Sequence, residues 1–239
     1  MIRRASAGGA IIPGMPLNSS VLTAFLSELH ANNNKEWFEA HRAEYQLLRT
    51  QFTDLVQDVL AGLARVDPQM AHVKPEQGIF RINRDVRFSA DKSPYKTQFS
   101  ASLSPLGRKI ESPGYYLQLN HLGELMIGGG MYMPIPDQLA AIRGYIVAKP
   151  QKLTTVLASP AFVKLFPKGI EGEQLKRPPK GFDETAPHLD HLKRKSFIVS
   201  RAVRLSETAT VSKNVLPTIA TGFAAMTPFI DWLRAAMAD

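Results

Sequence analysis

The chain contains no cysteine. That excludes a disulfide, a thiolate nucleophile, an iron–sulfur cluster and any zinc site built on sulfur. It also fits a reducing cytoplasm, which is the location expected for the protein. Nowhere do the roughly 18 to 20 consecutive apolar residues of a membrane-spanning helix occur, so no membrane association is expected. A Gly-x-Ser-x-Gly elbow, a Gly-x-Gly-x-x-Gly fingerprint and a kinase signature are all missing. The six histidines are scattered, and their order alone defines no serine triad. No internal repeat or low-complexity linker divides the sequence. Nothing in it names a cofactor, a resident metal or a catalytic residue.

What remains is a chain of 239 residues, 44% apolar, long enough to bury one sizeable core. Its formal charge of +8 favours acidic ligands or polyanions as partners, although charge also serves solubility. The first residues, Met1 to Ala10, carry an arginine pair like that of a leader, but glycines and Pro13 break the apolar stretch. Residues 1–17 therefore read as a flexible tail, with Met15 as an alternative start, and residues 18–239 as a single domain.

Ser19 or Ser20 can cap a helix with apolar positions Val21, Leu22, Phe25, Leu26 and Leu29, ended by Asn32-Asn33-Asn34. A longer helix is expected from Lys35 to Asp67-Pro68. Its stripe runs Trp37, Phe38, His41, Tyr45, Leu48, Phe52, Leu55, Val56, Val59 and Leu63. From Gly78 to Tyr132 the period becomes twofold. Phe80 and Ile82, then Phe99, Ala101 and Leu103, then Tyr115, Leu117 and Leu119, then Leu125 and Ile127 read as strand faces. Short turns at Pro105-Leu106-Gly107 and Asn120-His121-Leu122-Gly123 favour antiparallel pairing. Helices are expected after an Asp137 cap, over Gln151 to Leu157 and over Pro160 to Phe166. A proline-rich loop follows, then a strand from Ser196 to Leu205, a helix after Ser206 and another after Thr227-Pro228. The fold class expected is α+β: a mainly antiparallel sheet packed by N-terminal and C-terminal helices.

Chemistry concentrates in Arg81 to Thr97. These seventeen residues hold five cations, Arg81, Arg84, Arg87, Lys92 and Lys96, against two carboxylates, Asp85 and Asp91. Guanidinium groups suit planar, bidentate recognition of carboxylate or phosphate. Two readings stand side by side. In one, the charges pair among themselves and pin a loop. In the other, part of the cluster stays unpaired, Asp85 or Asp91 orients arginines, and Tyr95 with Lys96 closes a pocket over an anion. The neighbouring cations should depress the aspartate pKa values, which argues against a proton donor at neutral pH. The aspartates could also ligate a hard cation through oxygen, although their spacing does not require one.

Gly128-Gly129-Gly130 permits a bulge, a tight strand exit or close approach of a ligand, with Gly129 and Gly130 as candidate contacts. It is no P-loop, because the lysine and hydroxyl residue of that motif are absent. His188, Asp190 and His191 lack the spacing and glutamate of the zinc-helix motif, so a helix end beside the basic run Lys193-Arg194-Lys195 is the simpler reading. Lys176 and Arg177, in Lys176-Arg177-Pro178-Pro179-Lys180-Gly181-Phe182, are outlying candidates for an anion contact.

Several of these pieces recur together in one known family. Phe25-Leu26, Asn33-Asn34-Lys35-Glu36-Trp37-Phe38, His41-Arg42 with Tyr45, Arg81 through Thr97, Gly114-Tyr115-Tyr116, Gly128-Gly129-Gly130 and Leu175 through Phe182 occur in order. The chain in this respect resembles the uncharacterised bacterial and fungal domain-of-unknown-function family number 2461. The likeness covers nearly everything from about residue 18 onward and implies one α+β domain. It carries no activity, cofactor or catalytic residue with it.

The function expected is binding of a small phosphorylated or carboxylated ligand through the arginine-rich loop, as a binding domain or as an enzyme. Arg81, Arg84 and Arg87 would contact the anion, and Lys92, Tyr95 and Lys96 would complete the pocket. One alternative is a module for nucleic acid or another polyanion. A third is a structural or protein-interaction domain, for which Trp37, Phe38 and Phe52 would have to be exposed.

Overall fold

The computed structural model describes residues 16–108, 111–206 and 211–238. Most of the expected tail lies outside these residues, as does part of the segment after Ser206. Leu17 is already buried in the core.

Helix α1 (Ser19–Ala31) is capped by Asn18, whose Oδ1 accepts from the backbone N–H of Ser20 and Val21. The cap therefore falls one residue before the expected serines, since asparagine fills this role equally well. The expected long helix is two: α2 (Lys35–Ala40) and α3 (Arg42–Leu63). His41 separates them with φ −108° and ψ 13°. Its ring stacks on Trp37 at 3.9 Å and its Nδ1 lies 2.8 Å from the Trp37 carbonyl, so the break is held by the side chain itself. The offset lets Phe38 and Tyr45 pack against each other at 5.1 Å. Phe38 and Phe52 are buried and Trp37 packs partly buried on Phe25, so the aromatic stripe belongs to the core and offers no partner surface.

A 3₁₀ turn (Pro68–Met70) and α4 (Pro75–Gly78) lead into the sheet. Residues 79–82 are not a strand, contrary to expectation; Ile79 makes a single bridge to Ala101. The chain there is diverted into the charged segment before it can pair further. Strands β1 (Gln98–Leu103), β2 (Gly114–Asn120), β3 (Glu124–Met131) and β4 (Phe197–Arg204) form an antiparallel sheet in that order. Between β3 and β4 lie α5 (Pro136–Ala148), α6 (Pro150–Leu157), α7 (Pro160–Leu165) and the short α8 (Leu189–Leu192). The N-cap of α5 is Ile135, with Pro136 at the first position; Asp137 sits inside the first turn.

The last element, α9 (Leu216–Ala238), runs unbroken through Pro228. A proline inside a helix costs about 3 kcal/mol, because an N–H is lost and the ring presses on the preceding turn. Burial of Phe223, Met226, Phe229, Ile230 and Leu233 stabilises the same helix by about 1.5 to 3 kcal/mol each, which outweighs that cost. Phe99, Leu117, Ile127, Val199 and their neighbours face the helices α3 and α9 in one hydrophobic cluster. The alternate residues of each strand face away from them. Among the described residues no helix is long and apolar enough to cross a membrane.

Candidate functional site

The Arg81 to Thr97 segment is an arm closed at its neck. Asn83 bridges Tyr95, the Arg84 N–H donates to the Pro94 carbonyl at 2.9 Å, and the Lys96 N–H donates to Ile82 at 2.8 Å. Asn33, at the junction of α1 and α2, then locks the neck to the body. Its Nδ2 donates to the Tyr95 carbonyl at 2.9 Å and its Oδ1 accepts from the Tyr95 N–H at 3.1 Å. The Tyr95 ring is buried and stacked on Phe38 at 4.0 Å. Tyr95 thus anchors the arm from inside.

Beyond the neck the arm stitches itself together. Arg84 pairs with Asp91, and also donates to the Ser93 carbonyl at 3.1 Å and to Ser89 Oγ at 3.3 Å. Arg87 forms a two-bond fork with Asp85, at 3.0 and 2.7 Å. Asp91 accepts further bonds from the Ser93 hydroxyl and N–H, and with Arg84 these hold its carboxyl well down, at about 2. A carboxyl depressed in this way keeps its stabilising contacts above the ordinary aspartate range and loses them only as pH falls through about 2. The Lys92 ammonium donates to the Val86 carbonyl at 3.1 Å. Two of the five cations therefore meet carboxylates within the arm.

Arg81 and Lys96 form no ion pair with a carboxylate among the described residues, although the Arg81 charge reaches Asp85 and adds to the lowering of its pKa by Arg87, and a third cation from a different loop joins them. Lys96 Nζ lies 5.1 Å from the centroid of Phe80, and the Arg108 guanidinium lies 5.5 Å from the same ring. Lys96 also donates to the Arg81 carbonyl at 3.0 Å. Burial, followed by repulsion from Arg81 and Arg108, moves the Lys96 ammonium below its ordinary pKa. Two cations thus share one aromatic ring, and the charge of Arg81 acts on Lys96 from nearby.

Phe80 and Arg108 stand at the end of a cleft of about 450 Å³ on the sheet face turned away from α9. Strand register builds this cleft row by row. Ser102 lies opposite Tyr116, Tyr116 opposite Gly128, and Gly128 opposite Ser200. In the next row Gly114 lies opposite Gly130, and Gly130 opposite Ile198. Ser112 also lines the cleft, and its buried Oγ has no hydrogen-bond partner among the described residues. Lys96 itself borders a second groove of about 510 Å³, together with His30, Asn33, Arg84, Asp85 and Asp91. It holds two carboxylates, Asp85 and Asp91, where the cleft holds one, Glu111, beside Arg108, and is the poorer place for an anion.

The glycine triplet lies within β3 and is neither a strand exit nor a loop. Gly129 turns its Cα toward α9, where a Cβ would meet Met226 Sδ at 2.5 Å, so it borders the cleft through its backbone, while Gly128 and Gly130 lie on the cleft face. Gly130 has φ 122°, and a Cβ there would run into the Phe197 carbonyl oxygen. Lys176 and Arg177 are exposed on the loop before α8, held there by the Leu175 N–H to the Lys193 carbonyl at 2.7 Å. No described contact or cleft brings them to the arm. His188 precedes α8 with φ 59°, and burial moves His191 below its ordinary pKa. Among the described residues no group of three or more His, Asp or Glu side chains converges for a metal.

Sequence reasoning missed Phe80, Arg108, Ser112 and Tyr116 as site residues. A partial signal existed: Ser100 and Ser102 in β1, and Tyr116 and Gln118 in β2, alternate with core residues and so mark a polar sheet face. Nothing in the pattern aligned Arg108 with Lys96.

Comparison with known proteins yields a family match over residues 21–232, to a family described as a conserved hypothetical protein, DUF2461. No curated protein matches the chain, and neither does any solved structure.

Proposed function

Since the chain belongs to the DUF2461 family of conserved hypothetical proteins, whose description names no activity, we propose a function from the site: binding of a small phosphorylated or carboxylated molecule. The observation that carries this reading is the meeting of Lys96 and Arg108 over Phe80, with the Arg81 charge close enough to act on Lys96 and no ion pair from these three cations to a carboxylate among the described residues. Three cations held close together repel one another, and an anion relieves that repulsion. Arg84 and Arg87 act differently from Arg81: their ion pairs shape the arm, with Asp85 and Asp91 as orienting partners. Lys96 gains a proton more readily once an anion is bound. Affinity therefore falls as pH rises through the lowered pKa of Lys96, below the ordinary lysine range.

A thermal-shift screen of phosphate and carboxylate metabolites tests the reading. At least one ligand should raise the melting temperature of the wild type, and Arg81→Ala and Arg108→Gln should each abolish most of that rise. Arg87→Ala should leave it unchanged. Retention of the full shift in both Arg81→Ala and Arg108→Gln would remove these cations from the site.

A second reading, a nucleic-acid or other polyanion module, draws on one observation. Phe88 is 97% exposed at the arm tip beside Arg87, whose guanidinium lies 5.9 Å from its ring. Such an aromatic can stack on a base while cations track phosphates. Its affinity for single-stranded nucleic acid would fall steeply with added salt, through counterion release. A flat salt response, or no loss on Phe88→Ala, would eliminate this second reading.

A further inference from the structure

Lys96 and Arg108 account for one end of a ligand, and the rest of the cleft has a shape of its own. Gly114, Gly128 and Gly130 turn toward it without side chains. Adjacent strands lie about 4.8 Å apart, and residues two positions apart on one face about 7 Å. The bare patch therefore measures roughly 5 by 7 Å, the footprint of one aromatic ring. It is a permanent feature of the sheet, because side chains at these positions would collide with neighbouring backbone. A Cβ on Gly128 would come within 2.8 Å of the Val199 carbonyl oxygen, and one on Gly114 within 2.5 Å of that of Leu103.

The walls are suited to a flat body. Tyr116 stands beside the patch, partly buried, with its hydroxyl donating to Gln118 Oε1 at 2.7 Å. The Phe80 ring meets it edge-on at 6.5 Å and 60°. Met126 and Ile198 add apolar surface, Ser102 and Ser200 add hydroxyls, and the Ser112 hydroxyl, unpartnered among the described residues, is left for a ligand. Phe80 links the two ends, since it borders the cleft and carries Lys96 and Arg108 over its ring. An aliphatic phosphate would satisfy the cations and leave the apolar walls wet.

From this arrangement we infer that the ligand is a planar aromatic anion, with its ring on the glycine patch beside Tyr116 and its phosphate or carboxylate at Arg108 and Lys96. The inference rests on the anion-binding reading and adds the ring to it.

Calorimetric titration of the full chain with phenyl phosphate and with glycerol 3-phosphate separates the two. Phenyl phosphate should bind about tenfold more tightly or better, the size of effect that ring stacking produces. Tyr116→Leu should bring the two affinities together, whereas Arg108→Gln should weaken both. If Tyr116→Leu does not fold, Ser102→Leu, opposite Tyr116 in the same row, fills the cleft and should likewise abolish the preference. Equal affinity of the wild type for both probes, or a preference untouched by these variants, would overturn the aromatic ring and leave the anion site standing. Binding of neither probe would overturn both.

Discussion

Asp67→Ala should destabilise the fold by about 3 to 5 kcal/mol, the cost of leaving one member of a buried ion pair without its partner. Asp67 is 2% exposed and sits where α3 gives way to the 3₁₀ turn. Its Oδ2 accepts from Arg234 Nη2 on α9 and from the Tyr115 hydroxyl on β2, each at 2.8 Å, while its Oδ1 accepts from the Gln69 N–H at 3.2 Å. One carboxylate thus joins three elements that are far apart in sequence. Burial, and then the bond to Asp67, hold the Tyr115 phenol above its ordinary pKa, which keeps it a donor. For a chain of this size the loss corresponds to a fall in Tm on the order of 6 to 20 °C. Tyr115→Phe should cost only about 1 to 2 kcal/mol, because the ion pair survives. Urea unfolding of both variants checks the order. A loss below about 1 kcal/mol for Asp67→Ala would show that this network does not hold the fold together.

Gly130→Ala should be comparably damaging. A φ of 122° is a region that side-chain-bearing residues rarely adopt, and holding alanine there costs on the order of 1 to 3 kcal/mol. The methyl group would also run into the Phe197 carbonyl oxygen of β4, so the β3 to β4 pairing must shift, adding about 1 to 3 kcal/mol. Gly144→Ala is the contrasting substitution. Gly144 lies in α5 with nothing near its missing Cβ, and alanine there should be neutral or should stabilise by up to about 1 kcal/mol. Thermal unfolding of the two variants distinguishes a glycine required by geometry from one that is not. Equal melting temperatures would contradict the account of Gly130.

Much of the sheet can be read from the order of residues, because alternation of apolar and polar side chains is a local property. Phe99, Ala101 and Leu103, and Tyr115, Leu117 and Leu119, announce strands whose inner faces are buried as expected. Departures occur where a nonlocal contact overrides a local preference. His41 interrupts the long helix by stacking on Trp37, and Pro228 is carried inside α9 because the core buries both sides of it. Residues 79–82 have a strand-like pattern yet make one bridge, since the neck of the arm claims the chain that follows.

The site divides along the same line. Composition and spacing alone determined an antiparallel α+β fold, a cationic segment from Arg81 to Thr97 and a glycine triplet at 128–130. Carboxylates two and seven residues away could neutralise Arg87 and Arg84, and in the folded arm they do. Only the tertiary structure decided which cations remain. Lys96 lies over Phe80 because the neck of the arm sets its direction, and Arg108 reaches the same ring from the loop that follows β1. Charge is a property of a residue, but pairing is a matter of a few ångströms between elements whose register no local pattern encodes.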